Sequence, residues 1–224
     1  MNQVTKAPTT AVSVAPLNLG ASNDVTVSDL QISRLKILQA NSDLVKEGDS
    51  KPGSVIDVDT NDVKAMKGEK PLKFIIVGSK KTWLIEENGT YQVLPATHKN
   101  EYPWNENGIK RTYFHSFFVL LPDDVNNGNP FPYELSFSST GLTTAAMISK
   151  HLLLQKHKMQ PSWCLTFEAN VILRKKGKNS WYSLQVTKTS LTSAEHQKLA
   201  ESFSTLNYAS KPEVTTQHSE EEAF

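Results

Sequence analysis

The stretch Trp163–Thr187, WCLTFEANVILRKKGKNSWYSLQVT, contains two runs in which apolar and polar residues alternate. In the first run the odd positions 163–173 are all apolar, and in the second the even positions 182, 184 and 186 share one side. A period of two indicates a strand with one buried face. The intervening Arg174–Ser180 contains Gly and Asn and carries four positive charges. We therefore predict a β-hairpin with a cationic tip.

The size and composition of the chain favour one ordinary domain with extensions. It has 224 residues, 38% of them hydrophobic, and a formal net charge of +1. Nothing in it resembles a membrane span or a signal segment, and a single cysteine, Cys164, is typical of a reducing compartment. The expected location is the cytoplasm, which is the host cytoplasm for a viral protein, and no membrane partner is expected.

Charge is distributed unevenly along the chain. Between Lys70 and Lys188 there are 15 Lys and Arg against 8 Asp and Glu, whereas Pro212–Phe224 has four Glu and neither Lys nor Arg. A basic body with an acidic tail predicts binding to a polyanion. The alternative is a neutral soluble domain with scattered surface charge.

Composition and periodicity divide the chain into three parts. Residues 1–28 are predicted to be a flexible N-terminal arm, 29–207 a single domain, and 208–224 a disordered acidic tail. Within the domain we predict a second hairpin at Asn88–Gly89, a central strand over Thr112–Leu121, and two helices that flank the first hairpin.

Both helices have sequence signals at their start. The second follows a capping box, Thr192-Ser193-Ala194-Glu195. The first follows Ser138-Ser139-Thr140 and ends before Pro161. The buried stripe predicted for the first helix consists of Leu142, Ala145, Ala146, Ser149, Leu152 and Leu153.

The order of these elements predicts a mainly β fold with two helices. Several strands, a helix and two final strands match an oligonucleotide-binding (OB) fold, in which five strands form a partly open barrel. The expected fold is therefore an OB-like five-stranded barrel with extensions. In that fold Arg174–Ser180 would join the fourth and fifth strands, beside the binding face.

Basic and aromatic residues are interleaved in the body of the chain, as binding of single-stranded DNA requires. Phosphates need cations, and unpaired bases need flat rings on which to stack. Trp181 is the most telling ring, because it falls on the polar side of its strand. The predicted DNA-binding residues are Lys73, Lys80, Lys81, Trp83, Tyr102, Trp104, Lys110, Arg111, Tyr113, Lys150, Arg174, Lys175, Lys176, Lys178 and Trp181.

The sequence offers little support for catalysis. The six histidines form no HxxxH pair, Cys164 has no neighbouring metal ligands, and there is no P-loop, GxGxxG or GxSxG motif. We expect no enzymatic activity, no catalytic residue, no metal and no cofactor.

The acidic tail has a pattern of its own. Glu220, Glu221 and Glu222 are followed by Ala223 and the aromatic Phe224. Such a segment can occupy the protein's own basic groove and, once displaced by nucleic acid, dock on partner proteins. The alternative is a generic acidic end.

Several of these features together resemble bacteriophage single-stranded-DNA-binding proteins. They are the basic hairpin with its Trp, the helix before it, the segment ISRLKILQANSDLV followed by KPGSVID, and the tail SEEEAF. The resemblance covers roughly residues 30–224, by pattern rather than by a diagnostic motif. It implies an OB fold and sequence-tolerant binding of single strands in phage DNA replication and recombination. It also implies that Glu220, Glu221, Glu222 and Phe224 contact polymerase or helicase-primase, although this tail is less acidic than typical ones.

Two other functions remain open at this point. One is a phage structural or assembly protein with a β-barrel core, and the other is an RNA-binding accessory protein of the same fold. The oligomeric state is also open, a homodimer included.

Overall fold

The computed structural model describes residues 32–106, 108–205 and 214–215. The predictions for 1–28 and for most of 208–224 concern residues outside these ranges. The fold is mainly β, with 46% of residues in strands and 24% in helices. This confirms the mainly β class.

Eleven strands and four α-helices make up the described part of the chain. The strands are β1 (Arg34–Ile37), β2 (Ser54–Asp57), β3 (Val63–Met66), β4 (Leu72–Glu87), β5 (Thr90–Pro95), β6 (Asn105–Glu106), β7 (Ile109–Leu120), β8 (Tyr133–Ser138), β9 (Leu165–Lys176), β10 (Asn179–Leu191) and β11 (Val214–Thr215). The helices are α1 (Asp43–Lys46), α2 (Pro122–Asn126), α3 (Leu142–His157) and α4 (Ala194–Ser204). The prediction of two helices was therefore incomplete, because α1 and α2 are too short to produce a helical period.

Eight strands form a curled, open sheet that makes a half-barrel. Their order is β10-β9-β4-β7-β8-β1-β2-β3. Only β1 and β8 run parallel in this path. The sheet contains more strands than the five predicted. β4 contributes to this difference because two strands pair with it, β9 near its start and β5 near its end.

The far half of β4 carries a branch of the same sheet. It pairs with β5 on one side and with the first half of β7 on the other, while β6 pairs with β7 and β11 with β5. We call the segment from Lys80 to Ser116 the arm. The predicted hairpin is confirmed here, since Asn88 and Gly89 take positive φ angles of 50° and 76° at its turn.

The cationic hairpin is also confirmed. β9 and β10 pair along their length, from Leu165 opposite Leu191 to Lys176 opposite Asn179. The turn between them is at Gly177, whose φ is +60°. Leu165, Phe167, Ala169 and Val171 are buried, as the alternation predicts, whereas Leu173 near the tip is 37% exposed.

The half-barrel has a large core on one face, which we call the inner face. Phe74 stacks on Phe167 with ring centroids 5.4 Å apart. α3 covers this core and contributes Ile148 to it. The opposite, outer face holds a smaller core around Ile75 and Phe118, covered by α4.

The two predicted helices lie where expected but differ in detail. The N-cap of α4 is Ser193, one residue later than the predicted capping box, and its Oγ accepts from the His196 N–H at 3.3 Å. The inward side of α3 was mispredicted, since Leu153 is exposed and Thr144 is buried. Thr144 tolerates burial because its hydroxyl donates to the Leu184 carbonyl at 2.6 Å.

Side chains link the two ends of the open sheet. The Gln39 amide accepts from the Tyr182 N–H at 2.8 Å and donates to the Tyr182 carbonyl at 3.1 Å. The Tyr182 ring also packs on Gly53, and Lys67 Nζ lies 5.4 Å from its centroid. The edge of β10 is therefore satisfied by loops that flank β1, β2 and β3 rather than by another strand.

Candidate nucleic-acid interface

An aromatic cluster forms the centre of the arm. Trp83 on β4 lies directly opposite Tyr113 on β7, and their ring centroids are 5.3 Å apart. Tyr102 packs edge-on against the same indole at 5.7 Å. Trp83 is only 2% exposed, so its ring is enclosed. Although the sequence predicted Trp83 as a stacking residue, its position makes it the support of the two tyrosines.

Two rings of the arm face solvent. Trp104 is 72% exposed and Tyr102 is 39% exposed. Both belong to the loop between β5 and β6. Large aromatic side chains in solvent are costly unless they bind something, because their apolar area stays hydrated.

Arg111 holds this loop against β7. Its backbone N–H donates to the Trp104 carbonyl at 2.8 Å, and its guanidinium donates to the Pro103 carbonyl at 3.3 Å. The guanidinium lies 5.8 Å from the Tyr102 ring centroid, which is cation–π geometry. We call Lys81, Tyr102, Trp104 and Arg111 the arm surface. Its main features are two exposed rings and two cations, of which Arg111 is largely buried and also pairs with Glu106 at 3.5 Å.

Lys81 is the charged group beside the inner part of the arm. It lies opposite His115 in the register of β4 and β7, and its Nζ donates to the Thr97 carbonyl at 3.4 Å. Burial and the nearby Lys81 charge lower the pKa of His115 to about 4. His115 is therefore neutral near pH 7, and the positive charge at this point comes from Lys81.

The cationic tip of the β9–β10 hairpin is the second candidate surface. Its four cations are Arg174, Lys175, Lys176 and Lys178, and the tip contains no acidic residue. Trp181 lies opposite Arg174 in the strand register. Its ring is partly buried, and its Nε1 is buried with no hydrogen-bond partner in the described part of the chain.

The structure separates the arm surface from the hairpin tip. β9 pairs with Leu72–Ile75 at the start of β4, whereas the arm is built on the end of β4. Trp181 and Arg174 belong to the outer side of their strands, while Trp83 and Tyr113 belong to the same side as the inner core residue Phe117. The predicted residues therefore form two surfaces rather than one continuous patch.

The remaining predicted cations are scattered around these surfaces. Lys80 pairs with Glu134 at 3.1 Å, and Lys110 pairs with Glu86 at 3.3 Å. Lys73 is exposed on β4, where its register partner is Glu168. Lys150 is exposed on α3. The carboxylates of Glu134, Glu86 and Glu168 weaken the attraction of the neighbouring lysines for a phosphate.

Three further observations concern metal ligands, membrane-spanning helices and the tail. In the described ranges no three or more His, Cys, Asp or Glu side chains are grouped so that they could hold a metal ion. None of the helices described is long and apolar enough to cross a membrane. The tail residues Glu220, Glu221, Glu222 and Phe224 lie outside the described residues, although Val214–Thr215 pairs with β5.

Sequence reasoning missed one exposed feature, the apolar outer side of α3. Met147, Leu153 and Leu154 all face solvent there. The helical period of the sequence could have revealed this side. Ile148 and Leu152 belong to the buried side, and the same period puts Leu154 on the opposite side.

Comparison with known proteins assigns this chain to no family, since no protein-family model, curated protein or solved structure matches it.

Proposed function

We propose that this protein binds single-stranded DNA without marked sequence preference and serves phage DNA replication or recombination. The observation that carries the proposal is Trp104, a large ring that is 72% exposed on a loop held in place by Arg111. A ring fixed in solvent provides a face on which an unpaired base can stack.

Tyr102 provides a second ring beside a cation. The Trp83 ring packs edge-on against Tyr102, and the Arg111 guanidinium lies over the Tyr102 ring. Each stacked base contributes about 1–3 kcal/mol, so Trp104 and Tyr102 together would give measurable affinity. Stacking of this kind tolerates any base, in agreement with the absence of a recognition helix.

The hairpin tip supplies phosphate contacts in this proposal. Its four cations lie within five residues, from Arg174 to Lys178. Four single-strand phosphate contacts predict a slope of about −3 for log K against log salt concentration. Because the tip and the arm lie at opposite ends of β4, we propose that one strand reaches both only when it is long enough to follow the sheet.

The finer parts of the proposal rest on sequence and on element order. α3 precedes the final β9–β10 hairpin, which is the order expected for an OB fold. We propose that the half-barrel is a relative of that fold. We also propose that Glu220, Glu221, Glu222 and Phe224 compete for the binding surface and recruit polymerase or helicase-primase in the host cytoplasm.

Titration of tryptophan fluorescence with oligo-dT at several salt concentrations tests the function. We expect quenching at low salt that weakens steeply as salt rises. No quenching at low salt would contradict the proposal and favour a structural or assembly role. A parallel titration with oligo-U distinguishes DNA from RNA, and tighter binding of oligo-U would assign the protein to RNA instead.

A further inference from the structure

The outward side of α3 combines exposed apolar residues with positive charge. Leu153 and Leu154 are 55% and 48% exposed, and Met147 lies one to two turns before them. Lys150 lies between these residues, and Lys158 follows at the end of the helix. We call Met147, Lys150, Leu153, Leu154 and Lys158 the α3 outer face.

This face is opposite to the side that packs on the core. Ala145 and Ile148 are buried under the inner core, and the ring of His151 meets Phe167 edge-on at 5.9 Å. Spacings of three and four residues place Met147, Lys150 and Leu154 together on the other side of the helix. Four of the ten large exposed apolar side chains in the described residues are on α3 or at Met159, directly after it. Their concentration indicates a contact surface rather than scattered exposure.

The charge of the face restricts what can bind it. α3 contains no Asp or Glu, and within the described ranges neither Lys150 nor Lys158 has an acidic partner. A matching ligand must therefore carry several negative charges next to an apolar side chain. The segment Ser219–Phe224, SEEEAF, has this composition, with three consecutive Glu beside Ala and Phe and no positive charge.

The register of β11 indicates which molecule supplies that segment. β11 runs antiparallel to β5, with Val214 opposite Gln92 and Thr215 opposite Tyr91, so it is directed toward the distal turn of the arm. α3 instead begins next to Ser138, which pairs with Phe114 at the base of the arm. The strand therefore runs away from the α3 of its own chain, and this direction favours a second copy as the source of the segment.

From these observations we infer that the α3 outer face binds the acidic segment Ser219–Phe224 of a second copy of this protein. Phe224 would pack against Met147, Leu153 and Leu154, while the glutamates pair with Lys150 and Lys158. The same segment is proposed above to compete for the DNA-binding surface, so the two sites would share it, but this contact uses neither the arm surface nor the hairpin tip. It provides a route to self-association that becomes weaker as salt rises.

Sedimentation of the full chain over about 1 to 500 µM tests the inference. We expect concentration-dependent association, and we expect Lys150→Glu with Lys158→Glu to weaken it by about 10-fold or more. Glu220→Lys, Glu221→Lys and Glu222→Lys should weaken it equally. Combining both sets restores opposite charges and should recover most of the association. Lys188→Glu with Lys198→Glu is the matched charge control on another surface and should have little effect, since both side chains are exposed and neither is a predicted DNA-binding residue.

A cross-link identifies the occupant directly. One chain carries Leu154→Cys and another carries Ala223→Cys, both with Cys164→Ser, and the two are mixed under oxidising conditions. We expect a disulfide-linked heterodimer, with Lys198→Cys in place of Leu154→Cys as the unreactive control. A full chain that stays monomeric, or a charge exchange that fails to restore association in folded variants, would overturn the inference. If the cross-link forms only when both cysteines are in one chain, the α3 outer face binds the acidic segment of its own chain and not that of a second copy.

Discussion

The ring of Tyr182 lies directly over Gly53. A Cβ atom added to Gly53 would come within 2.8 Å of Tyr182 Cδ1 and 3.0 Å of Cε1. Gly53 precedes β2 and Tyr182 belongs to β10, so the contact joins opposite ends of the half-barrel. Gln39 also forms hydrogen bonds with the backbone of Tyr182. The open sheet is therefore held together beside Gly53, where a side chain cannot be accommodated.

We expect Gly53→Ala to destabilise the protein by about 2–4 kcal/mol. The left-handed φ of +83° costs an alanine about 1–2 kcal/mol, and displacement of the tyrosine ring adds an overpacking cost of similar size. Gly68→Ala is the matched control, because its φ is +76° and nothing lies within 4 Å of an added Cβ. Chemical denaturation of both variants measures the difference, and equal losses would show that the ring contact is unimportant.

A second prediction concerns the polar cluster of Lys64, Asp124 and Tyr133. Asp124 Oδ2 lies 2.9 Å from Lys64 Nζ and accepts from the Tyr133 hydroxyl at 2.6 Å. Both members of the ion pair are largely buried. Removal of the carboxylate leaves the Tyr133 hydroxyl without its acceptor and leaves Lys64 with only the longer contact to Asp62, at 3.8 Å. We expect Asp124→Ala to cost about 2–4 kcal/mol in unfolding free energy.

An exposed ion pair provides the comparison for that prediction. Asp43 and Lys46 are also 2.9 Å apart, but more than half of each side chain is in solvent. Asp43→Ala should therefore leave stability nearly unchanged. A loss at Asp43 as large as that at Asp124 would show that burial does not determine the effect.

Stability should fall in mild acid because of His115. Burial and the Lys81 charge lower its pKa from the ordinary 6.5 to about 4. Between these values the unfolded chain binds a proton that the folded protein does not, so stability decreases as pH falls from about 6.5 toward 4. After allowance for partial exposure of the ring, the contribution is on the order of 1–2 kcal/mol.

His115→Phe tests this origin of the acid sensitivity. The ring of Phe117 is 4.4 Å from that of His115, so an aromatic replacement suits the site. Denaturation at pH 7 and pH 4.5 should show a smaller difference for the variant than for the natural protein. An unchanged difference would assign the acid sensitivity to other groups.

Trp83 and Trp104 should have opposite roles although they lie in the same arm. Trp104→Ala is expected to weaken oligo-dT binding by about 1–3 kcal/mol and to leave stability nearly unchanged. Trp83→Ala removes an enclosed ring and should cost about 3–5 kcal/mol of stability. Phe131→Ala is a control, since that ring is also exposed but lies outside the arm. An equal loss of DNA binding in Phe131→Ala would remove the special role of Trp104.

Local sequence patterns predicted the two hairpins and the central strand. The alternation in Trp163–Thr187 and the Asn88–Gly89 turn predicted both hairpins, because a strand's period and the turn's φ angles depend on neighbouring residues. Trp104 was predicted as a DNA-binding residue, but the sequence did not determine whether its ring is exposed. The buried side of α3 was harder to predict, because Thr144 is buried through a bond to Leu184, forty residues later.

The mainly β class, the cationic hairpin and the Asn88–Gly89 turn could be read from the residue order, since each depends on contacts between near neighbours. The enclosure of Trp83, the distance between arm and hairpin tip, and the contact of Tyr182 with Gly53 were decided by the folded structure. These depend on which strands pair and in which register, such as Trp83 opposite Tyr113. Alternation indicates that a strand has two faces, but only long-range pairing determines what each face meets.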